Sequence, residues 1–125
     1  MHYSLLYNEK LPLDNLKLHA YSDAAHGDNL PSRRSTGGFV IFLAGAPVLW
    51  KVKKQTIVTL SSTEAEFLNL SPTGLALIWV NKILGDLGAA QKTPLVLYTD
   101  SQNARTNALC PHSSQRTRNI DIRFK

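Results

Sequence analysis

A chain of 125 residues is one domain by length, long enough to enclose a hydrophobic core. An apolar fraction of 43%, with 7 Gly and 6 Pro, excludes a disordered or fibrous chain, and 14 Lys and Arg against 9 Asp and Glu leave a net charge of +5 that suits a polyanionic partner as well as solubility. The lone Cys110 excludes an intrachain disulfide partner and a thiolate zinc site. With no signal-like N-terminus and no bilayer-length apolar run, the composition points to an intracellular protein, neither secreted nor in a membrane.

Residues 16–22 mix apolar and polar positions and read as a first strand that ends at Asp23. The stretch "AAHGDNLPSRRS" is a loop by its Gly, Asn, Asp and Pro content. "TGGFVIFLAG" is β-rich, Gly45-Ala46-Pro47 reads as a turn, and "PVLWKVKKQ" resumes as a strand. An antiparallel β1-β2-β3 meander follows. Lys51, Lys53 and Lys54 place positive charge at its far end, as a solvated strand end or as a track for phosphates.

"LSSTEAEF" opens a helix. Ser61 and Glu64 have the spacing of a capping box, which occupies Glu64 and leaves Glu66 on a different face. Ala65, Leu68, Leu75 and Trp79 follow helical spacing, with Leu77, Ile78 and Ile83 widening the stripe. Trp50 and Trp79 are expected in the core. Pro72 and Gly74 predict a kink or restart near Ser71, and Gly85 or Gly88 the stop.

"TPLVLYTD" is a continuous apolar run, the kind that lies centrally in a sheet, and it closes on Asp100. "SQNARTNALC" reads as a short helix stopped by Pro111, and "SSQRTRNIDIRFK" as helical or loop-like. The order β-β-β-α-β-α gives an α/β fold with a mixed sheet and helices packed on it.

Asp23 and Asp100 each close a β-rich run, and Glu66 sits where a helix begins. Gathered at one sheet edge, such carboxylates resist joint ionisation unless a cation holds them. Hard oxygen donors suit Mg²⁺, so the pattern points to metal-dependent chemistry on a phosphate. One aspartate at a strand end is more often a turn or cap residue; three in this order reverse that preference.

The blocks "YSDA", "RRSTGGFVIFLAGAPVLWKVKKQ", "LSSTEAEF", "LYTDSQNA" and "HSSQRTRNIDIRF" run from Tyr21 to Phe124, within a stretch, residues 16–124, that nearly fills the chain. In this order and spacing they resemble the ribonuclease H domain of copia-type LTR retrotransposon Pol polyproteins. The resemblance implies a ribonuclease H-like fold and endonucleolytic hydrolysis of the RNA strand of an RNA–DNA hybrid. It makes Asp23, Glu66 and Asp100 the catalytic, metal-binding carboxylates of a two-metal mechanism. The expected cofactor is two Mg²⁺ ions bridged by Asp23, with Mn²⁺ the alternative.

RNA selectivity would come from contacts to the 2′-hydroxyl. Ser62, Thr63, Ser101 and Gln102, beside the carboxylates, and Lys53 and Lys54 are the candidate nucleic-acid contacts. N-capping is the competing role for Ser62 and Ser101. His112 is a candidate for assisting product release, against a plain surface role.

Residues 1–15 then read as the remnant of a connection to an upstream polymerase region, a reverse transcriptase, and 16–125 as the domain. The family continues into a further strand and an Ala-Asp segment carrying a fourth carboxylate. The final strand and last catalytic segment are therefore expected to be missing. Asp121 in "NIDIR" is the candidate fourth acid, with a structural or surface role weighed above it. "DAAHGD" lacks the family's tryptophan, and Asn119 stands where a histidine is usual. The alternative function is a catalytically inactive retrotransposon remnant with at most weak nucleic-acid binding.

Overall fold

Alternation along the chain decides which side of each strand meets the core. The computed structural model describes residues 3–4, 16–27, 31–92, 94–108 and 120–124. In these, β1 (Leu18–Ala25), β2 (Thr36–Leu43) and β3 (Ala46–Lys54) precede α1 (Ser62–Asp86), followed by β4 (Leu95–Thr99), α2 (Gln102–Ala108) and β5 (Ile120–Phe124). Leu18 and Ala20 of β1, Ile41 of β2, Leu95 and Leu97 of β4 and Ile120 and Ile122 of β5 are buried at period two. They meet Leu70, Leu77, Val80 and Leu84 of α1 and Ala104 of α2.

The sheet order is β3-β2-β1-β4-β5. The expected meander is present: β1–β2 and β2–β3 are antiparallel, whereas β1–β4 and β4–β5 are parallel. The apolar run of β4 lies between β1 and β5, as its composition requires. Ala44 and Gly45 make the β2–β3 turn with φ of 53° and 81°. Two consecutive residues at positive φ match the right-handed twist of the hairpin strands. The turn thus precedes the expected Gly45-Ala46-Pro47, and Pro47 lies within β3, where an edge strand tolerates it.

Three further expectations are corrected. The "IDIRF" segment, expected as helix or loop, is a fifth strand, paired in parallel to β4 from Ile120↔Leu95 to Phe124↔Thr99. Its alternation of buried Ile120 and Ile122 with polar neighbours is the period-two signal, too short to stand out beside the preceding polar residues. Arg105 Nε also donates to Ile122 O at 2.8 Å, tying α2 to this edge strand.

Next, α1 runs unbroken through Pro72, which lies on the exposed side. The missing proline N–H costs one bond, while Thr73 Oγ1 donates to Asn69 O at 2.7 Å in the same turn.

Finally, Trp50 and Trp79 are each 56% exposed, not core residues. Trp50 pairs with Val40 on the sheet face opposite Ile41 and Leu49. The face of α1 that meets the sheet is the stripe Ala65, Asn69, Thr73, Leu77, Val80 and Leu84, which leaves Leu75, Trp79 and Ile83 outside. Gly74 belongs to the buried side: a Cβ there would come within 2.9 Å of Ile120 Cδ1.

The C-terminus of α1 is a Schellman motif. Ala89 N–H bonds Leu84 O, Gly88 N–H bonds Gly85 O, and Gly88 takes φ 79°. Of the two predicted stops, Gly88 is the one used. Cys110, Pro111, His112 and Asn119 lie outside the described residues, as does most of 1–15.

Candidate metal centre

The parallel pairing of β1 with β4 runs from His19↔Val96 to Ser22↔Thr99. The next residue on each strand is Asp23 and Asp100. Two aspartates therefore leave the same edge of the sheet, on neighbouring strands about 4.8 Å apart. Both side chains are exposed.

Glu66 reaches the same edge from α1. The capping box fixes where that helix starts: Glu64 N–H donates to Ser61 Oγ at 3.1 Å. The Glu64 carboxylate turns back to accept from Leu60 N–H at 2.6 Å, one residue before the cap, so it is occupied as expected. Glu66 is then directed inward and is 5% exposed. Its Oε1 accepts the Ala24 amide at 2.8 Å, and its Oε2 is buried without a partner.

One carboxylate oxygen from each of Asp23, Glu66 and Asp100 can be chosen so that all three lie within 4.8 Å of one another. Burial pushes the Glu66 carboxyl from 4.5 up to about 7; the Ala24 amide opposes this, and the charges of Asp100 and Asp23 add to it. A three-carboxylate cluster whose Glu66 has one buried, unpartnered oxygen fits a hard divalent cation.

The cluster opens onto a cleft of about 530 Å³ lined by Tyr21, Ser22, Val40, Phe42, Tyr98 and Thr99 besides the two aspartates. This is the helix-free sheet face, where Tyr21 and Tyr98 stack at 5.1 Å and Phe42 meets Tyr21 edge-on at 5.7 Å.

Asp121 does not join the cluster. It pairs with Val96, three rungs from Thr99, and its Oδ2 accepts from Arg123 Nε at 2.8 Å. Among the described residues, the group of three contains no fourth acid.

The candidate nucleic-acid contacts divide. Ser101 caps α2: its Oγ accepts from Ala104 N–H at 3.1 Å and its carbonyl from Arg105 N–H at 3.0 Å. The α1 cap is Ser61, so Ser62 keeps an exposed side chain one residue inside the helix, beside half-buried Thr63. Gln102 is exposed in the first turn of α2. Lys53 and Lys54 sit on the outer strand, where Gly37 and Thr36 of β2 link them to the register of Ala24 and Ala25. With Lys51 they line a groove of about 450 Å³ between β3 and α1.

Two sets of residues escaped the sequence reading. Asn69 Nδ2 lies 2.8 Å from Ser22 Oγ, 2.8 Å from Asp23 O and 2.7 Å from Gly38 O, which clamps the backbone under the site. The available signal was a polar residue three positions from Glu66, on the same helix face. The other set is His26, Ser35 and Thr59, whose hydroxyl and imidazole groups bond one another. They lie 33 residues apart at most, and nothing in the spacing announces them.

No protein-family model matches the chain. Among curated proteins it is 36% identical over 107 residues to the retrovirus-related Pol polyprotein from transposon TNT 1-94 of Nicotiana tabacum. It is 34% identical over 111 residues to that from transposon RE2 of Arabidopsis thaliana. These alignments cover 86% and 89% of the chain but 8% of each relative, so the chain spans under a tenth of their length.

Among solved structures, the ribonuclease H1 LC11, isolated from compost, superposes with a TM-score of 0.61 at 15% identity, covering 87% of this chain and 84% of that one. LC11 ribonuclease H1 in complex with an RNA/DNA hybrid gives 0.58 at 14% identity, over 87% and 85%. The likeness identifies the fold.

Proposed function

We propose, from the premise that the chain's homologues are copia-type retrotransposon Pol polyproteins and its fold is that of ribonuclease H, that it is a metal-dependent ribonuclease. Its substrate is an RNA–DNA hybrid, of which it hydrolyses the RNA strand endonucleolytically. The observation that carries this reading is the three-carboxylate cluster with the buried, unpartnered Glu66 Oε2.

Asp23, Glu66 and Asp100 would hold Mg²⁺, or Mn²⁺ in its place. Such ions supply Lewis-acid stabilisation of phosphoryl charge and a hydroxide at neutral pH. The chain's own residues prepare the place. Ala24 N–H fixes one Glu66 oxygen and leaves the other without a partner, and Asn69 holds the carbonyl of Asp23. Ser62, Thr63 and Gln102, adjacent in sequence to the carboxylates, would be the groups for contact with the hybrid, while Lys53 and Lys54 would meet its phosphates. In a parent polyprotein the domain would work beside an upstream reverse transcriptase, within the cell, with residues 1–15 as the connection and 16–125 as the domain.

The test is cleavage of a hybrid labelled on its RNA strand by the purified 125-residue chain in Mg²⁺. Asp100→Asn should lower the rate at least about a hundredfold, because it removes an anionic ligand. Metal-dependent cleavage that survives this substitution would sink the reading.

A second reading, hybrid binding without turnover, is favoured by the ion pair that holds Asp121 on Arg123, which leaves three acids at the cluster among the described residues. Hybrid binding by wild type with no RNA cleavage in Mg²⁺ or Mn²⁺ would establish it.

A further inference from the structure

We propose that His26, Ser35 and Thr59 form a positioning clasp that sets the spacing between Asp23 and Glu66. The proposal rests on the reading of the carboxylate cluster as a metal site. Gly27 N–H donates to Ser35 Oγ at 3.0 Å, Ser35 Oγ lies 2.8 Å from Thr59 Oγ1, and Thr59 Oγ1 lies 3.1 Å from His26 Nδ1. Ser35 Oγ is also 3.4 Å from His26 Nδ1, which closes a ring of three side chains.

Burial gives the chain of bonds one sense. Ser35 is fully buried and Thr59 is 3% exposed, so each hydroxyl hydrogen needs an acceptor inside the ring. With Gly27 donating to Ser35, the Ser35 hydroxyl donates to Thr59, and the Thr59 hydroxyl donates to an unprotonated His26 Nδ1. If Nδ1 carried the hydrogen, one of the two hydroxyl hydrogens would have no acceptor among these groups. His26 is therefore the terminal acceptor, and its exposed ring edge carries the N–H.

Each member belongs to a different element of the site. His26 follows Asp23 by three residues and Ala24 by two, and Ala24 is the residue whose amide holds Glu66 Oε1. Thr59 lies in the segment that enters α1, seven residues before Glu66. Ser35 precedes β2, whose Gly38 pairs with Asp23, and its carbonyl accepts from Gln55 N–H at 2.7 Å. The clasp thus closes the gap between the end of β1 and the entrance of α1. Loosening it lets the Ala24–Glu66 bond lengthen and the buried carboxylate retreat from the aspartates. None of the three side chains belongs to the carboxylate cluster itself.

The experiment measures Mn²⁺ binding to the purified chain by titration calorimetry, with far-UV circular dichroism to verify folding. His26→Ala and Thr59→Val should each weaken Mn²⁺ binding about tenfold. Thr59→Ser, which keeps the hydroxyl, and His26→Asn, which offers an oxygen near Nδ1, should restore it to within about twofold.

Amide hydrogen exchange without metal gives an independent readout. Ala24 should exchange about tenfold faster in Thr59→Val and His26→Ala, while Leu97 in β4 should not change. Unaltered Ala24 exchange in folded His26→Ala overturns the clasp whatever the metal result, as does wild-type Mn²⁺ affinity in that variant. Failure of the wild-type chain itself to bind Mn²⁺ overturns the metal reading instead, and the exchange measurement then decides the clasp.

Discussion

Glu66 is the residue at which folding and chemistry conflict. Its carboxyl is raised from 4.5 to about 7, chiefly by burial, so the native state binds its proton more tightly than the unfolded chain. The sign follows from linkage: a raised native value stabilises the fold fully below about 4.5, and that contribution is lost as pH rises through about 7. The metal-free protein should therefore lose roughly 3 kcal/mol of stability over this window. Glu66→Gln should flatten that part of the profile. Mg²⁺ should flatten it too, because a cation favours the ionised form. Urea unfolding at a series of pH values, with EDTA and with Mg²⁺, would measure both; a wild-type profile that is flat in EDTA would exclude a strained Glu66.

At the scale of elements, the least legible feature is the face that α1 presents. Of the expected stripe, Leu75, Trp79 and Ile83 lie outside, while Ala65 and Leu77 are buried in the sheet-facing side together with Asn69, Thr73 and Gly74. Hydrophobic spacing therefore located only part of the buried face. Close approach, not bulk, decides which side is buried. Gly74 admits Ile120 of β5, and Gly37 of β2 leaves the space filled by the Asn69 side chain. By contrast, the helix ends were readable, because capping depends on residues at fixed local offsets.

The Gly37–Asn69 contact gives a test. Gly37→Ala should destabilise by about 2 kcal/mol through overpacking. Asn69→Ala should cost about 1–3 kcal/mol by leaving Ser22 Oγ, Asp23 O and Gly38 O without their donor. Since the new methyl and the amide compete for one space, the double variant should be less destabilised than the sum by at least 1 kcal/mol. Additivity within error would exclude the packing account.

For the whole molecule, the site was legible where one residue meets one element's end. Asp23, Glu66 and Asp100 could be named from strand ends and a cap, and the parallel β1–β4 pairing with α1 above brings them together. The clasp and the Asn69 clamp were not legible, because they join residues that only the tertiary fold makes neighbours.

The excess positive charge is likewise placed by the fold. Register across three strands sets Lys53 beside Gly37 and Ala24, two strand spacings, about 10 Å, from the site strand. With Lys51 and Lys54 it lines one wall of the groove against α1. A hybrid duplex lying over the carboxylates would bring a phosphate backbone within reach of these ammonium groups. Each phosphate neutralised releases condensed counterions, so log affinity should fall linearly with log salt. Measured in an Asp100→Asn background, where turnover is suppressed, Lys53→Gln with Lys54→Gln should reduce that slope by about 2, near 1 per lost contact. Lys82→Gln, an exposed substitution late in α1, should leave it unchanged. A slope that does not respond to the Lys53 and Lys54 pair would mean that the hybrid approaches the carboxylates from another side of the sheet edge.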